Sequence, residues 1–157
     1  MKYINKFLTT LLGLIALHAE ASLGCRAEYG DQVTIPGLTA ATSLNNHQFG
    51  VVRLAAATTV NIASEVSVSG ALKMAFGVLQ NKPYVNEAAQ VAVSGLSKIF
   101  GGGTVTAGAA ITYDSSGHVI DAVSGSIVIG RALQTLTTAG EIGTALIFPP
   151  VRWGSVA

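Results

Sequence analysis

The sequence has few charged residues, few aromatic residues and a single cysteine. Charged side chains make up 11% of it, against about 25% in an average globular protein. Aromatic side chains make up 6%. The one cysteine, Cys25, excludes an internal disulfide framework. No run rich in lysine and arginine is present, which argues against a protein that binds double-stranded nucleic acid.

Disordered chains and collagen-like proteins are also excluded, by the hydrophobic content and by the pattern of the glycines. Half of the residues are hydrophobic and the formal net charge is +1. Disordered chains combine low hydrophobicity with high net charge, so this composition predicts a folded chain. The 18 glycines follow no three-residue period, which excludes a collagen-like protein. A length of 157 residues fits one domain, or one domain with an appendage.

Residues 1–25 differ from the rest and are interpreted as a leader or an N-terminal arm. Lys2 and Lys6 precede an apolar run at residues 7–17, and Ala19-Glu20-Ala21 follows. This is the layout of a secretory signal peptide, and the run is shorter than the about 20 residues that a transmembrane helix needs. The segment could instead be a buried or amphipathic helix, or an upstream extension that results from a misplaced start codon. Residues 22–25 also resemble the end of a lipobox, without its usual leucine.

Beyond the leader, the charges balance. Removing Lys2, Lys6 and Glu20 from the nine basic and eight acidic residues leaves seven of each, so the net charge is zero. A small domain with no net charge and few charged side chains tends to associate. We therefore expect partners to cover much of its surface.

Residues 26–157 are predicted to form a single all-β domain. Short runs rich in valine, isoleucine and threonine alternate with turn residues, which is typical of small barrels and sandwiches. The predicted fold is a small β-barrel, a β-tulip-like domain or a sandwich, with an extended N-terminal arm. Residues 131–139 could also be helical, and Pro149-Pro150 is expected to end the last strand. The predicted strands are residues 51–54, 59–62, 65–69, 76–79, 90–99, 104–106, 111–113, 118–120, 126–130 and 142–148.

Few residues in the sequence could carry out chemistry. The three histidines have no spacing typical of a zinc site. Asp114 and Asp121 could form a pair of catalytic carboxylates, but Asp114 opens an Asp-Ser-Ser-Gly segment that is typical of a turn. Gly101-Gly102-Gly103 lacks the spacing of a phosphate-binding loop. The sequence therefore predicts no catalytic residue, no metal site and no cofactor; an enzyme with a site assembled from scattered residues is the disfavoured alternative.

Several segments resemble, in order, those of one protein family. They are AEYGDQVT at residues 27–34, GVLQNKP at 77–83, EAAQVAVSG at 87–95, AGAAIT at 107–112 with Asp114 and Gly117, IGRAL at 129–133 and AGE at 139–141. The family is the capsid decoration, or cement, proteins of tailed bacteriophages. The resemblance extends over residues 27–148.

The resemblance implies a virion structural protein without enzymatic activity. Members of this family bind the outer surface of the phage head, often as trimers, and bridge neighbouring major capsid subunits so that the shell is stabilised. The implied partners are the major capsid protein and further copies of the chain in a homotrimer, with no cofactor, no nucleic acid and no membrane in the mature virion. The leader departs from the family pattern. A secreted or lipid-anchored bacterial surface β domain is the alternative.

Candidate contact residues lie near both ends of residues 26–157. An extended terminus can clamp a neighbour by adding a strand to its sheet edge, and we expect this of residues 26–36 and 149–153. Arginine and tryptophan are enriched at the energetic hot spots of protein interfaces. Trp153 could instead cover one end of the barrel. The candidate residues are Arg26, Tyr29, Val33, Ile35, Arg152 and Trp153.

Overall fold

The computed structural model describes residues 32–63 and 74–154, and these residues contain only β-strands and loops. The predicted all-β class is therefore confirmed. The described part of the chain has no helix long and apolar enough to cross a membrane. The leader, Arg26, Tyr29 and the strand predicted at residues 65–69 lie outside the described residues. The strands are β1 (Val33–Ala40), β2 (Val51–Ala56), β3 (Thr59–Ile62), β4 (Ala75–Leu79), β5 (Ala88–Phe100), β6 (Ala110–Tyr113), β7 (Val119–Asp121), β8 (Ile127–Ala132) and β9 (Ile142–Arg152).

Strands β1 to β5 form a closed barrel. The order of hydrogen-bonded neighbours is β1-β3-β2-β4-β5, and β1 also pairs with β5, which closes the ring. The β1–β3 pairing is parallel and the others are antiparallel. Residues 33–36, which the sequence assigned to an extended arm, belong to β1. The β1–β5 ladder is irregular between Ile35 and Leu38, around Pro36, because proline has no N–H to donate.

Strand β5 continues out of the barrel and becomes the first strand of a second sheet. Its residues up to Ser94 pair with β1 and β4, and Gly95 to Phe100 pair with β9. The order then continues β9-β8-β6-β7. At the change of partners, Gly95 has a φ of 95°, which glycine adopts without the steric penalty of a side chain. One continuous strand therefore belongs to both sheets.

Two hydrophobic clusters fill the two parts of the domain. Successive side chains of a strand point to opposite faces, and accordingly the neighbours Val51 and Val52 of β2 belong to different clusters. The barrel cluster includes Val52 and Val91. The other cluster includes Val51 and Tyr113, between the barrel and the second sheet. Burying one such aliphatic side chain stabilises the fold by about 1.5–3 kcal/mol, so this shared core attaches the second sheet to the barrel.

The last strand passes through the two prolines. The expectation that Pro149-Pro150 ends it is wrong, since β9 runs to Arg152. The β8–β9 ladder has a register shift between Val128 and Gly130, and β5 pairs with β9 only as far as Ile147. Proline is tolerated at bulges and at free strand edges, where no N–H is needed for the ladder. Residues 131–139, for which the sequence left a helix open, complete β8 and enter a loop.

The turn predicted at Asp114 is confirmed. Its Oδ1 accepts hydrogen bonds from the N–H groups of Ser116 at 2.7 Å and His118 at 2.9 Å. The carbonyl of Gly117 in the same turn accepts the N–H of Val51 at 2.7 Å. This turn of the second sheet is thereby fastened to strand β2 of the barrel.

Gly77→Ala is expected to destabilise the protein. A Cβ at this position would overlap the Ala92 carbonyl oxygen and lie 2.7 Å from Val91 Cγ1, and overpacking of this kind costs about 1–3 kcal/mol. Gly103→Ala is the matched control, because its Cβ would meet no atom within 4 Å. Thermal and denaturant-induced unfolding measure both variants, and equal stability would contradict the close packing of β4 on β5.

Candidate functional site

An open groove lies where β6, β7, β8 and β9 meet. Its volume is about 570 Å³. Concave surfaces that are mostly apolar, with a few placed charged groups, are typical of binding sites. The charged side chains of the groove are Arg131, Arg152 and Asp121, and its other lining residues are Gly108, Ala109, Ala110, Ala122, Val128, Phe148, Val151 and Trp153.

One part of the groove is a two-stranded ribbon made by the ends of β8 and β9. Ile127 pairs with Arg152, and the Trp153 N–H donates to the Ser126 carbonyl at 2.9 Å. The backbone at Trp153 is therefore fixed although the residue is 46% exposed. A large aromatic side chain on a fixed backbone is suited to contact with a partner.

Arg131 enters the groove from β8. Its neighbours Gly130 and Ala132 are buried while Arg131 is exposed, so its side chain lies on the solvent-facing side of the strand. Its Nη1 donates to the Gly108 carbonyl at 2.6 Å. This bond holds the guanidinium in place, but the acceptor is neutral, so the positive charge of Arg131 is not balanced by it.

Asp121, the carboxylate in the groove lining, is engaged within the fold. Its Oδ1 accepts the Thr106 N–H at 3.0 Å and its Oδ2 accepts the Thr106 hydroxyl at 2.8 Å. Asp114 is engaged in its own turn, as described above. The two carboxylates that the sequence suggested as a catalytic pair therefore each hold a loop.

The other described carboxylates also bond to their own loops. Glu87 accepts the Tyr84 N–H at 2.8 Å. Glu141 accepts the Thr137 N–H at 2.7 Å and both the Thr137 and Thr138 hydroxyls at 2.9 Å. These hydrogen bonds, led by the Thr137 backbone, lower the pKa of Glu141. Within residues 32–63 and 74–154, no lysine or arginine lies within 4.0 Å of a carboxylate oxygen as an ion pair.

The structure brings together only some of the predicted contact residues. Arg152 and Trp153 both line the groove. Val33 and Ile35 lie on β1 of the barrel, where Val33 is 51% exposed and Ile35 packs against the barrel cluster. The sequence prediction missed Arg131. No local signal in the sequence marks it, since the three residues before it in β8 are all buried; the pairing of β8 with β9 places it at the groove.

A second surface with exposed apolar side chains, beside Lys98 and Arg131, is the outer face of β5, β9 and β8, hereafter the outer face. In β9, Ile142 and Leu146 are exposed while Gly143, Ala145 and Ile147 are buried. Leu146 lies opposite Leu96 of β5 and Arg131 of β8, and Leu133, just after β8, is 51% exposed. Clusters of exposed apolar side chains are typical of interaction surfaces.

Two histidines lie at the junction of the barrel and the second sheet. His118 Nδ1 is 3.4 Å from Asp114 Oδ2, and its ring centroid is 4.9 Å from that of Phe100. Partial burial and, secondarily, the charge of His118 lower the pKa of His47 below its usual 6.5. Among the described residues, no group of three or more histidine, cysteine, aspartate or glutamate side chains could hold a metal ion.

These features define an all-β protein in which a closed five-stranded barrel shares its last strand with a second sheet. No protein family and no curated protein matches the sequence. Among solved structures, the chain is similar to the crystal structure of the N base of the head fibre gp8.5 in bacteriophage phi29, with a TM-score of 0.52 and 14% sequence identity. The match covers 74% of this chain and 94% of that chain. It establishes a shared fold.

Acidification is expected to destabilise the protein near the pKa of His47. Because that pKa is lowered in the folded state, the unfolded chain takes up the proton first, and stability falls as the pH drops through the ordinary value of about 6.5. In His47→Gln this part of the pH dependence disappears. Melting temperatures between about pH 7.5 and about pH 5 measure it, and an unchanged slope in the variant would refute the assignment to His47.

Proposed function

We propose that the chain is a structural protein of a phage head, namely a capsid decoration protein on the outer surface of the virion. The observation that supports this most is the fold shared with the N base of a phage head fibre, which covers 94% of that chain. The resemblance of residues 27–148 to capsid decoration proteins points to the same class independently of the fold.

The residues that carry the resemblance have structural roles. Asn81 donates to the Ala88 carbonyl at 2.8 Å and accepts the Gln90 N–H at 2.9 Å, which closes the connection between β4 and β5. Asp114 and Glu141 hold loops in the same way. The roles of these three residues within the fold are consistent with the proposed binding and bridging protein.

In this proposal the protein bridges neighbouring major capsid proteins and stabilises the shell. Many copies of a modest interface stabilise whichever shell state presents the binding site, and a trimeric clamp adds avidity. The groove offers a contact surface for the shell, and the outer face, which adjoins the groove at Arg131, offers one for neighbouring copies in a homotrimer. The function needs no enzyme activity, cofactor or nucleic acid.

Association with phage heads is the direct test of this function. The protein is expected to sediment with mature heads and to raise their resistance to heat and osmotic shock, because a bound clamp stabilises the state that it binds. Heads that lack the protein and are equally resistant would refute the stabilising role.

Measurement of the intact mass tests the alternative function. Loss of residues 1–21, or a diacyl group on Cys25, would favour a secreted or lipid-anchored protein.

Self-association through the outer face is tested by Leu146→Ser. Equilibrium sedimentation of the wild-type chain is expected to give a trimer, and the variant is expected to shift toward monomer because it removes an exposed apolar side chain from the proposed interface. Val85→Ser is the control, since Val85 is 53% exposed in the loop between β4 and β5. A monomeric wild-type protein would overturn the trimer, and a trimer that Leu146→Ser leaves intact would exclude this face as its interface.

A further inference from the structure

We infer that the groove binds an acidic segment that carries both carboxylate and apolar side chains, presented by the surface of the phage shell. This inference rests on the proposed function for the origin of the segment. The chemistry of the segment is argued from the groove alone. It follows from the charges of the groove, the character of its walls and the free edge of β9.

The charge of the groove calls for an anionic partner. Arg131 and Arg152 line it, and the bond that holds Arg131 goes to the neutral Gly108 carbonyl. The one carboxylate in the lining, Asp121, accepts hydrogen bonds from the N–H and the hydroxyl of Thr106, which are neutral, so the formal charge of the lining is +1. Two guanidinium groups and one carboxylate line the groove, and no carboxylate of the described residues forms an ion pair with either arginine. Arginine pairs with carboxylates through two parallel hydrogen bonds, so carboxylate side chains are the complementary groups.

The apolar walls of the groove favour a bound segment that carries apolar side chains beside its carboxylates. Trp153, Val151 and Phe148 supply large apolar surfaces, and the alanines on the β6–β7 side keep the groove wide. Val151 is 54% exposed and Trp153 is 46% exposed. Covering such side chains is favourable in proportion to the apolar area removed from water. A small inorganic anion would leave them exposed, whereas an acidic segment with apolar residues would cover them.

The free edge of β9 favours recognition through side chains. Beyond Ile147, β9 pairs with β8 but no longer with β5, so one edge has no partner among the described strands. Pro149 and Pro150 lie on that stretch and have no N–H to donate, which disfavours the addition of a further strand. Selectivity in the groove then depends on its arginines and apolar walls.

The single tryptophan of the chain, Trp153, reports binding in the groove directly. The probe is acetyl-Val-Glu-Leu-Glu-Ile-amide, and the comparison peptide carries glutamine in place of both glutamates. The full chain is expected to bind the acidic peptide with a change in tryptophan emission, and the glutamine peptide about tenfold more weakly, a difference of about 1.4 kcal/mol. No change in emission with the acidic peptide, or equal affinity for both peptides, would overturn the inference.

Charge-neutralising variants assign the effect to the two arginines. Arg131→Gln and Arg152→Gln are each expected to weaken binding of the acidic peptide about tenfold and to reduce its dependence on salt. Arg53→Gln is the matched control, because Arg53 lies on β2 of the barrel and donates to the Leu54 carbonyl. Melting temperatures of all variants verify that they fold. If Arg53→Gln weakens binding of the acidic peptide as much as the groove variants do, the effect comes from net charge and the proposed site is overturned.

Binding to heads separates this inference from the proposed function. If the wild-type protein binds heads and both groove variants bind equally well, the function holds and the acidic segment is refuted as the shell contact. If the wild-type protein does not bind heads, the proposed function fails, together with the shell as the source of the segment. The peptide titration then still decides whether the groove recognises carboxylates.

Discussion

The structure depends on strand β5, which is the last strand of the barrel and the first of the second sheet. Its first half pairs with β1 and β4 and its second half with β9. A strand that belongs to both sheets fixes their relative orientation through the backbone itself. The cluster that contains Val51 and Tyr113 then fills the space between them. The Asp114 turn also connects the second sheet to the barrel, because the Gly117 carbonyl accepts the Val51 N–H. The groove belongs to the second sheet, so its position relative to the barrel follows from β5.

The sequence predicted the elements better than their arrangement. Runs of alternating valine, isoleucine and threonine predicted most of the strands, because the period of two is a local property. The first strand was missed: Pro36 and Gly37 interrupt its pattern, and its pairing with β5 joins residues far apart in sequence. The end of β9 was misplaced for a related reason. Proline excludes a strand only where its N–H would be required, and at Pro149-Pro150 the loss of β5 as a neighbour removes that requirement.

The candidate site was predicted only in part. Arg152 and Trp153 were identified by residue type, and both line the groove. Arg131 was missed because nothing local distinguishes it. Arg131 lines the groove because the pairing of the strands places β8 beside β9 and β6. The near balance of positive and negative charge in the sequence also hides an asymmetry: the described carboxylates are engaged in loop hydrogen bonds, whereas the arginines of the groove are not paired with carboxylates. A partner at the groove therefore meets two arginines and one carboxylate, a local excess of positive charge in a nearly neutral chain.

The closure of the barrel by its first strand also governs the order in which the chain can fold. Strand β1 needs β3 and β5 as neighbours, so during synthesis it has no complete partner set until the chain has been made as far as Ser94. Contacts between distant segments form slowly because a long loop must first be closed. Strands β2, β3 and β4 can pair earlier, through shorter connections. The edge left for β1 then stays open until β5 arrives, and during that interval a strand from a neighbouring chain could compete with β1 for the same position.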